Sequence, residues 1–204
     1  MADTSMKLPT GLFGGSFNPV HLGHVGLARW IADNAGVDGV WLSLSPSSPF
    51  KQNEVMLPDD LRLHLLRIAT ESYSALHVTD VELSLPHPSY TVDALHELSS
   101  RNPGREFRLI IGADNIAAFD RWRCWEEIAG RFGLIIYPRP GYDVSLPQFL
   151  EPFSENIRVL HGTPQFDVSS TEIRKRLVSG ESLAGLVDSR VEEGLREYMA
   201  KSVL

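Results

Sequence analysis

The chain has 204 residues, of which 43% are hydrophobic and 22% charged, which is enough apolar material to bury one sizeable core. Its formal net charge of −7 argues against broad electrostatic attraction to DNA or RNA, so no nucleic-acid partner is expected. The single cysteine, Cys124, excludes an internal disulfide, and the sequence lacks both an export signal and an apolar run of about 20 residues, so we expect a cytoplasmic protein without a membrane partner.

Short apolar runs alternate with amphipathic stretches, and this alternation predicts an α/β protein. We expect one domain over residues 1–204 with a helical carboxyl-terminal portion. The predicted strands are residues 8–13, 40–44, 107–111, 132–137 and 157–160, and the predicted helices are residues 21–34, 59–71, 91–98, 171–178 and 191–199. The runs at 107–111 and 132–137 are apolar and bounded by Gly or Pro, which is typical of parallel strands buried at the centre of a sheet.

The letters GGSFNPVHLGH join the first predicted strand to the first predicted helix. Gly14 and Gly15 permit backbone angles that point successive N–H groups outward, and the helix N-terminus adds a partial positive charge. The loop Gly14, Gly15, Ser16 and Phe17 is therefore predicted to bind an anion. Neither GxxxxGK[ST] nor GxGxxG occurs here, so the loop is neither a P-loop nor a dinucleotide fingerprint.

His21 and His24 are three residues apart and should share one face at the first turn of that helix. Both imidazoles could donate hydrogen bonds to phosphate oxygens and, if protonated, neutralise charge on a transferring group. Two alternatives stay open at this point. One is an ordinary helix with two capping or surface histidines, and the other is a zinc site, although no third ligand occurs at conventional spacing.

A second candidate anion site is the segment VSSTEIRKRL near the carboxyl terminus. Ser169 precedes Glu172 by three residues, which is the capping-box spacing that opens a helix. The hydroxyl and N–H groups of Ser169, Ser170 and Thr171 could hold phosphate, and Arg174 would add a fixed charge with bidentate geometry. A capped helix with an arginine in its second turn is the structural alternative.

The first of these segments, GGSFNPVHLGH, resembles the signature of the HxGH nucleotidyltransferase superfamily, whose members transfer a nucleotidyl group without a covalent enzyme intermediate. The second is similar to the superfamily's ISxTxxR motif, with Val168 in place of isoleucine. The resemblance implies a Rossmann-like parallel sheet flanked by helices. It also implies that His21 and His24 contact the ATP triphosphate, with His24 near the α-phosphate, and that the serine, threonine and Arg174 contact ATP phosphates.

Three further stretches resemble the bacterial nicotinate mononucleotide adenylyltransferases in order and spacing: PSYTVDAL, IIGADNIAAFDRW and RPGY. The resemblance implies that Thr91 and Trp122 hold a pyridine ring and that Asp114 lies near a nucleotide's sugar. ATP and nicotinate mononucleotide are the implied partners. A plain core role for Trp122 stays open, as does the strictness of the preference for acid over amide.

Lys51 is the last candidate, as a ligand of the acceptor phosphate or the ATP tail, although a solvated loop lysine fits the pattern as well. It follows Phe50, where the family often has histidine. Mg²⁺ is expected to travel on the ATP phosphates, because no carboxylate pair dedicated to a metal is evident. Catalysis would then fall to His21, His24, Lys51 and Arg174. A superfamily member with another acceptor, a non-catalytic nucleotide-binding regulator and a homo-oligomer all remain open.

Overall fold

Six parallel strands form one sheet in the computed structural model of the protein, which describes residues 7–46, 56–142 and 144–202. The strands are β1 (Thr10–Gly15), β2 (Val40–Leu44), β3 (Leu76–Thr79), β4 (Phe107–Gly112), β5 (Leu134–Tyr137) and β6 (Ile157–Val159). Their order across the sheet is β3-β2-β1-β4-β5-β6. The direction of winding reverses between β1 and β4, and the crevice above the carboxyl ends of two such strands is where this topology binds ligands.

Seven α-helices connect or follow these strands in the described residues: α1 (Leu22–Asn34), α2 (Asp59–Thr70), α3 (Thr91–Arg101), α4 (Ala113–Ile116), α5 (Trp125–Glu127), α6 (Ser170–Ser179) and α7 (Ser189–Ser202). Three 3-10 helices (Val81–Ser84, Phe119–Arg121 and Gln148–Asn156) and one π-helical segment (Ile128–Phe132) complete the set. Across the described ranges, no helix combines the length and the hydropathy needed to cross a bilayer.

The helices bury apolar side chains against the sheet in two clusters. One cluster joins α1, α2, α6 and α7 to strand residues that include Phe13, and the other joins α3, the π-helical segment and Leu150 to strand residues that include Leu12. Leu12 and Phe13 are adjacent in β1 and belong to different clusters, as side chains that alternate along a strand must. Both faces of the sheet are therefore covered, which is why its central strands are apolar throughout.

The α/β class, the parallel sheet and the helical carboxyl-terminal portion are confirmed, and all five predicted strands exist. The first one was predicted two residues early, because Gly14 and Gly15 continue the ladder by pairing with Ser43 and Leu44 of β2. The prediction missed β3, a four-residue edge strand. Of the two strands placed at the sheet centre, β4 is central, whereas β5 lies one strand in from the edge and starts at Leu134, since Phe132 ends the π-helical segment.

Candidate active site

Gly14 and Gly15 end β1 in extended conformation, so the prediction that they adopt special backbone angles was wrong. Gly15 is needed for space instead. A Cβ on Gly15 would lie 3.0 Å from the Phe17 ring, whereas Gly14 is exposed and a Cβ there would meet nothing closer than Glu82 Oε1 at 3.9 Å. The α-carbon of Gly14 thus leaves the carboxyl edge of β1 open to close approach by a ligand.

The turn that follows takes its unusual geometry from Phe17 and not from glycine. Phe17 has a φ of 40°, in the left-handed region, and its ring is buried against Phe13 and His24 at centroid distances of 6.0 and 5.0 Å. The Asn18–Pro19 peptide bond, one residue further on, is cis. A buried aromatic ring therefore anchors the loop from below and packs directly against one of the two predicted catalytic histidines.

His21 and His24 cap the N-terminus of α1 reciprocally. The backbone N–H of His24 donates to His21 Nδ1 at 3.3 Å, the backbone N–H of His21 donates to His24 Nδ1 at 3.3 Å, and the rings stack with centroids 3.6 Å apart. An Nδ1 that accepts an N–H carries no proton, which leaves each ring as the neutral tautomer with its proton on Nε2. The N–H donor of each neutral ring is then at Nε2.

The surroundings of His21 also determine its protonation state. Burial first, and then the positive charge of Arg139, lower the pKa of His21 from 6.5 to about 4. Of the two roles considered for this imidazole, the neutral hydrogen-bond donor therefore fits the structure near neutral pH, and the protonated form does not.

Unfolding measured as a function of pH should report this buried histidine. Between about pH 4 and 6.5 the unfolded chain protonates a histidine that the folded chain keeps neutral, so the free energy of unfolding should rise with pH through this window and level off above it. His21→Gln should reduce that rise by at most about 3 kcal/mol in urea titrations. His161→Gln, at an exposed site, should keep the wild-type profile, and an identical profile for both variants would contradict a neutral buried His21.

Gly23, between the two histidines, lets the second predicted phosphate segment approach the first. A Cβ on Gly23 would lie 2.9 Å from Val168 Cγ1, 3.1 Å from Phe166 Cβ and 3.1 Å from His21 Nδ1. Residues 166–168 thus lie against the first turn of α1. They directly precede Ser169, the N-cap of α6. The two segments predicted from separate motifs are in contact.

The hydroxyls of the second segment have partners within the protein. Ser169 is the N-cap of α6 and accepts from the N–H of Glu172 at 3.2 Å, as the capping spacing predicts, whereas Ser170 donates to Pro19 O at 2.9 Å. Arg174 Nη1 donates to Asn18 O at 2.7 Å, and its Nη2 donates to Thr171 Oγ1 at 3.3 Å. Ser170 and Arg174 therefore hold α6 against the loop after β1 by hydrogen bonds. Their roles toward phosphate stay predictions.

Asp114 and Arg139 follow the carboxyl ends of β4 and β5. Arg139 Nε lies 3.6 Å from Asp114 Oδ1, and Arg139 Nη2 donates to the hydroxyl of Tyr137 at 3.0 Å. Burial raises the pKa of Tyr137, so that hydroxyl keeps its proton. The sequence analysis named Asp114 as a candidate but gave Arg139 no role. The available signal for Arg139 was its position in RPGY, two residues after an apolar strand.

Arg123, which follows Trp122, contacts residues on either side of Thr91 at the start of α3. Its guanidinium ion-pairs with Asp93, in the first turn of α3, at 3.1 Å. It also lies over the ring of Tyr90, the N-cap of α3, 4.8 Å from the ring centroid. Trp122 is half-buried and packs on Phe119 at 5.4 Å, which leaves part of its indole face accessible. Because Trp122 also packs against the second core cluster, its role toward a pyridine ring stays a prediction.

Glu82 is a site-edge residue that the sequence did not reveal. It lies after β3, is 8% exposed, and accepts from Ser43 Oγ at 2.6 Å and Ser45 Oγ at 2.9 Å. Burial raises the pKa of the Glu82 carboxyl, and the serine hydrogen bonds oppose that rise. The carboxyl ties the ends of β2 and β3 together beside Gly14.

Lys51 and Phe50 lie outside the described residues, and the prediction for Lys51 stays a prediction. Among the residues that are described, no group of three or more His, Cys, Asp or Glu side chains is placed to hold a metal ion. The zinc alternative therefore finds no support in this part of the chain.

Residues 12–176 match the model of the cytidylyltransferase-like family. Two curated relatives carry the name probable nicotinate-nucleotide adenylyltransferase. The protein of Bacteroides thetaiotaomicron is 43% identical over 202 residues, covering 98% of this chain and 96% of its own. That of Bacteroides fragilis is 44% identical over 177 residues, covering 87% and 86%.

Solved structures agree on the fold. The nicotinic acid mononucleotide adenylyltransferase of Plasmodium falciparum, complexed with NaAD, superposes with a TM-score of 0.75 at 17% identity, covering 94% of this chain and 96% of its own. The same enzyme complexed with APC gives a TM-score of 0.72 at 16% identity. Likeness at this level of identity concerns the fold, and the sequence relatives carry the family assignment.

Proposed function

The chain belongs to the nicotinate-nucleotide adenylyltransferases of the cytidylyltransferase-like family, and on that premise we propose how its residues perform the reaction. The enzyme transfers AMP from ATP to nicotinate mononucleotide and yields nicotinate adenine dinucleotide and pyrophosphate, a step of NAD biosynthesis. The observation that carries the residue assignment is the contact between the HxGH segment and α6, made by Arg174 on Asn18 and by Val168 beside Gly23. The two phosphate-binding segments form one site.

In this proposal the ATP triphosphate lies over Gly14, Gly15, Ser16 and Phe17, between the paired histidines and the N-terminus of α6. A 5'-phosphate oxygen of the acceptor attacks the α-phosphorus in line, the bond from that phosphorus to the bridging oxygen breaks, and pyrophosphate leaves with the electron pair. The attacking phosphate is already anionic at neutral pH, so the step needs no general base. The Nε2–H groups of His21 and His24 stabilise charge on the transferring group, and Lys51, Ser169, Ser170, Thr171 and Arg174 contact the phosphates.

Divalent metal ions generally serve this family, and we assign Mg²⁺ here as a companion of ATP. The described residues fit a metal that rides on substrate oxygens and water, because Asp114, the acidic residue after β4, is paired with Arg139. When bound, the ion would neutralise triphosphate charge. We further propose that the protein is cytoplasmic, that residues 1–204 form a single domain, and that ATP and nicotinate mononucleotide are its partners.

The acceptor assignment can be tested with purified protein, ATP and Mg²⁺, offered nicotinate mononucleotide, nicotinamide mononucleotide or phosphopantetheine in turn. Chromatography should detect a pyridine dinucleotide, formed faster from the acid. A product from phosphopantetheine alone would reassign the acceptor. Failure to form any product would favour a nucleotide-binding regulator instead.

Trp122→Ala should chiefly raise the KM for nicotinate mononucleotide. We assign Trp122, with Thr91, to the pyridine ring, because Trp122 is half-buried and the adjacent Arg123 contacts Tyr90 and Asp93 at the α3 N-terminus. Loss of such a stacking contact should raise that KM about tenfold, with the KM for ATP near its wild-type value. Trp41→Phe is a control that should leave both KM values unchanged, because Trp41 lies near the amino-terminal end of β2 and packs against Phe107. An effect confined to ATP would return Trp122 to a core role.

A further inference from the structure

Arg62 lies in the first turn of α2, and its side chain is 0% exposed to solvent. None of the roles assigned above uses it. Burying a guanidinium is strongly unfavourable unless each of its N–H groups finds a partner. The partners of a buried arginine therefore reveal which parts of the chain it holds in place.

A guanidinium has five N–H groups, and those of Arg62 meet five oxygens. Four of these acceptors are backbone carbonyls and one is a carboxylate. Nε donates to Leu57 O at 3.0 Å, Nη1 to Ser45 O at 3.0 Å and to Ser16 O, and Nη2 to Pro46 O at 3.2 Å and to Asp59 Oδ1 at 2.6 Å. Arg62 therefore joins the loop after β1, the chain after β2 and the start of α2.

The contact with Ser16 determines the orientation of a peptide group in the phosphate-binding loop. In a trans peptide the carbonyl and the following N–H point in opposite directions. The Ser16 carbonyl points at Arg62, so the N–H of Phe17 points away from it. The φ of 40° at Phe17 is unfavourable for a residue with a side chain and persists where the surroundings fix it.

Asn18 ties the same loop to the same helix start independently. The backbone N–H of Leu57 donates to Asn18 Oδ1 at 2.9 Å, and Asn18 is 1% exposed. The chain is therefore held on both sides of Phe17. Resting on the function proposed above, we propose that Arg62 is a positioning residue that orients the Ser16–Phe17 peptide so that the N–H of Phe17 donates to a phosphate oxygen of ATP.

Arg62→Lys tests this role, because it keeps the charge and loses the planar fork. Calorimetry would measure binding of a non-hydrolysable ATP analogue without acceptor, at a temperature where circular dichroism shows the variant folded. We expect binding about tenfold weaker, the value of one hydrogen bond to a charged oxygen, with the KM for the acceptor unchanged.

Arg105→Lys is the matched control. Arg105 Nη1 donates to Thr10 Oγ1 at 2.6 Å and to Asp38 Oδ2 at 2.8 Å, at the amino-terminal edge of the sheet. This variant should lower the melting temperature and leave analogue binding intact. If folded Arg62→Lys binds the analogue within about twofold of wild type, or if both variants weaken it equally, the positioning role is wrong.

The wild-type protein supplies a second measurement that does not depend on whether Arg62→Lys folds. In a ¹⁵N-labelled sample, the amide resonance of Phe17 should move downfield when the analogue binds, as expected for a new hydrogen bond to phosphate. An unmoved Phe17 amide, with analogue bound, overturns the proposal. The proposed acceptor would fail separately, in the product assay, because analogue binding requires no acceptor.

Discussion

His24→Ala is expected to lower kcat about 100-fold or more while the KM for ATP changes little. The Nε2–H of His24 is assigned to charge that develops on the α-phosphate in the transition state, and its ring is held by Phe17 at 5.0 Å and by the stack on His21. An interaction made mainly in the transition state is lost from kcat and not from ground-state binding. Initial rates over a matrix of both substrate concentrations would separate the two constants.

The variant also removes the Nδ1 that accepts from the His21 N–H, so its thermal stability has to be measured beside its rate. His77→Ala is a suitable control, because His77 is an exposed histidine that packs beside an aromatic ring, Trp41, at 5.9 Å. It should retain wild-type kcat. An unchanged kcat for His24→Ala would exclude the transition-state role, and a KM for ATP that rises as much as kcat falls would reduce His24 to a binding residue.

The sequence predicted that the HxGH segment and the segment at Ser169 lie together, and the two are in contact. His21 and His24 illustrate how far such reasoning reaches. Their spacing predicted a shared face, and capping histidines were one of the alternatives, but the reciprocal cap was not predicted, because Ser, Thr, Asp and Asn are the residues usually expected at an N-cap. The tautomer that this cap selects could be derived only once both Nδ1 atoms were seen to accept backbone N–H groups.

The roles of the two glycines and of the buried Arg62 could not be predicted from the sequence, for different physical reasons. Gly14 and Gly15 suggested unusual backbone angles, yet they are ladder residues in extended conformation, and the space that Gly15 leaves is taken by the ring of Phe17, whose buried position depends on the fold. In the amphipathic pattern of α2, Arg62 is indistinguishable from a solvated arginine. Its burial depends on carbonyls of the loop after β1 and the chain after β2.

Gly23→Ala is expected to lower kcat/KM for ATP about tenfold to a hundredfold. The added methyl would lie 2.9 Å from Val168 Cγ1 and 3.1 Å from His21 Nδ1, both closer than ordinary van der Waals contact. To relieve this crowding, α6 must move away from α1 or the His21 ring must tilt, and either shift misaligns the triphosphate between its two sets of ligands. Steady-state kinetics at saturating acceptor would measure the loss.

Gly26→Ala, one turn along the same helix, separates this effect from a general response to added volume. The three atoms nearest its new methyl all belong to the ring of Phe166, which is 40% exposed and can swing into solvent. Both substitutions replace glycine in a helix by the best helix former, so the gain in helix propensity is shared. Gly26→Ala should therefore keep kcat/KM within about twofold of wild type. Equal losses in the two variants would mean that the contact between α1 and residues 166–168 does not align the site.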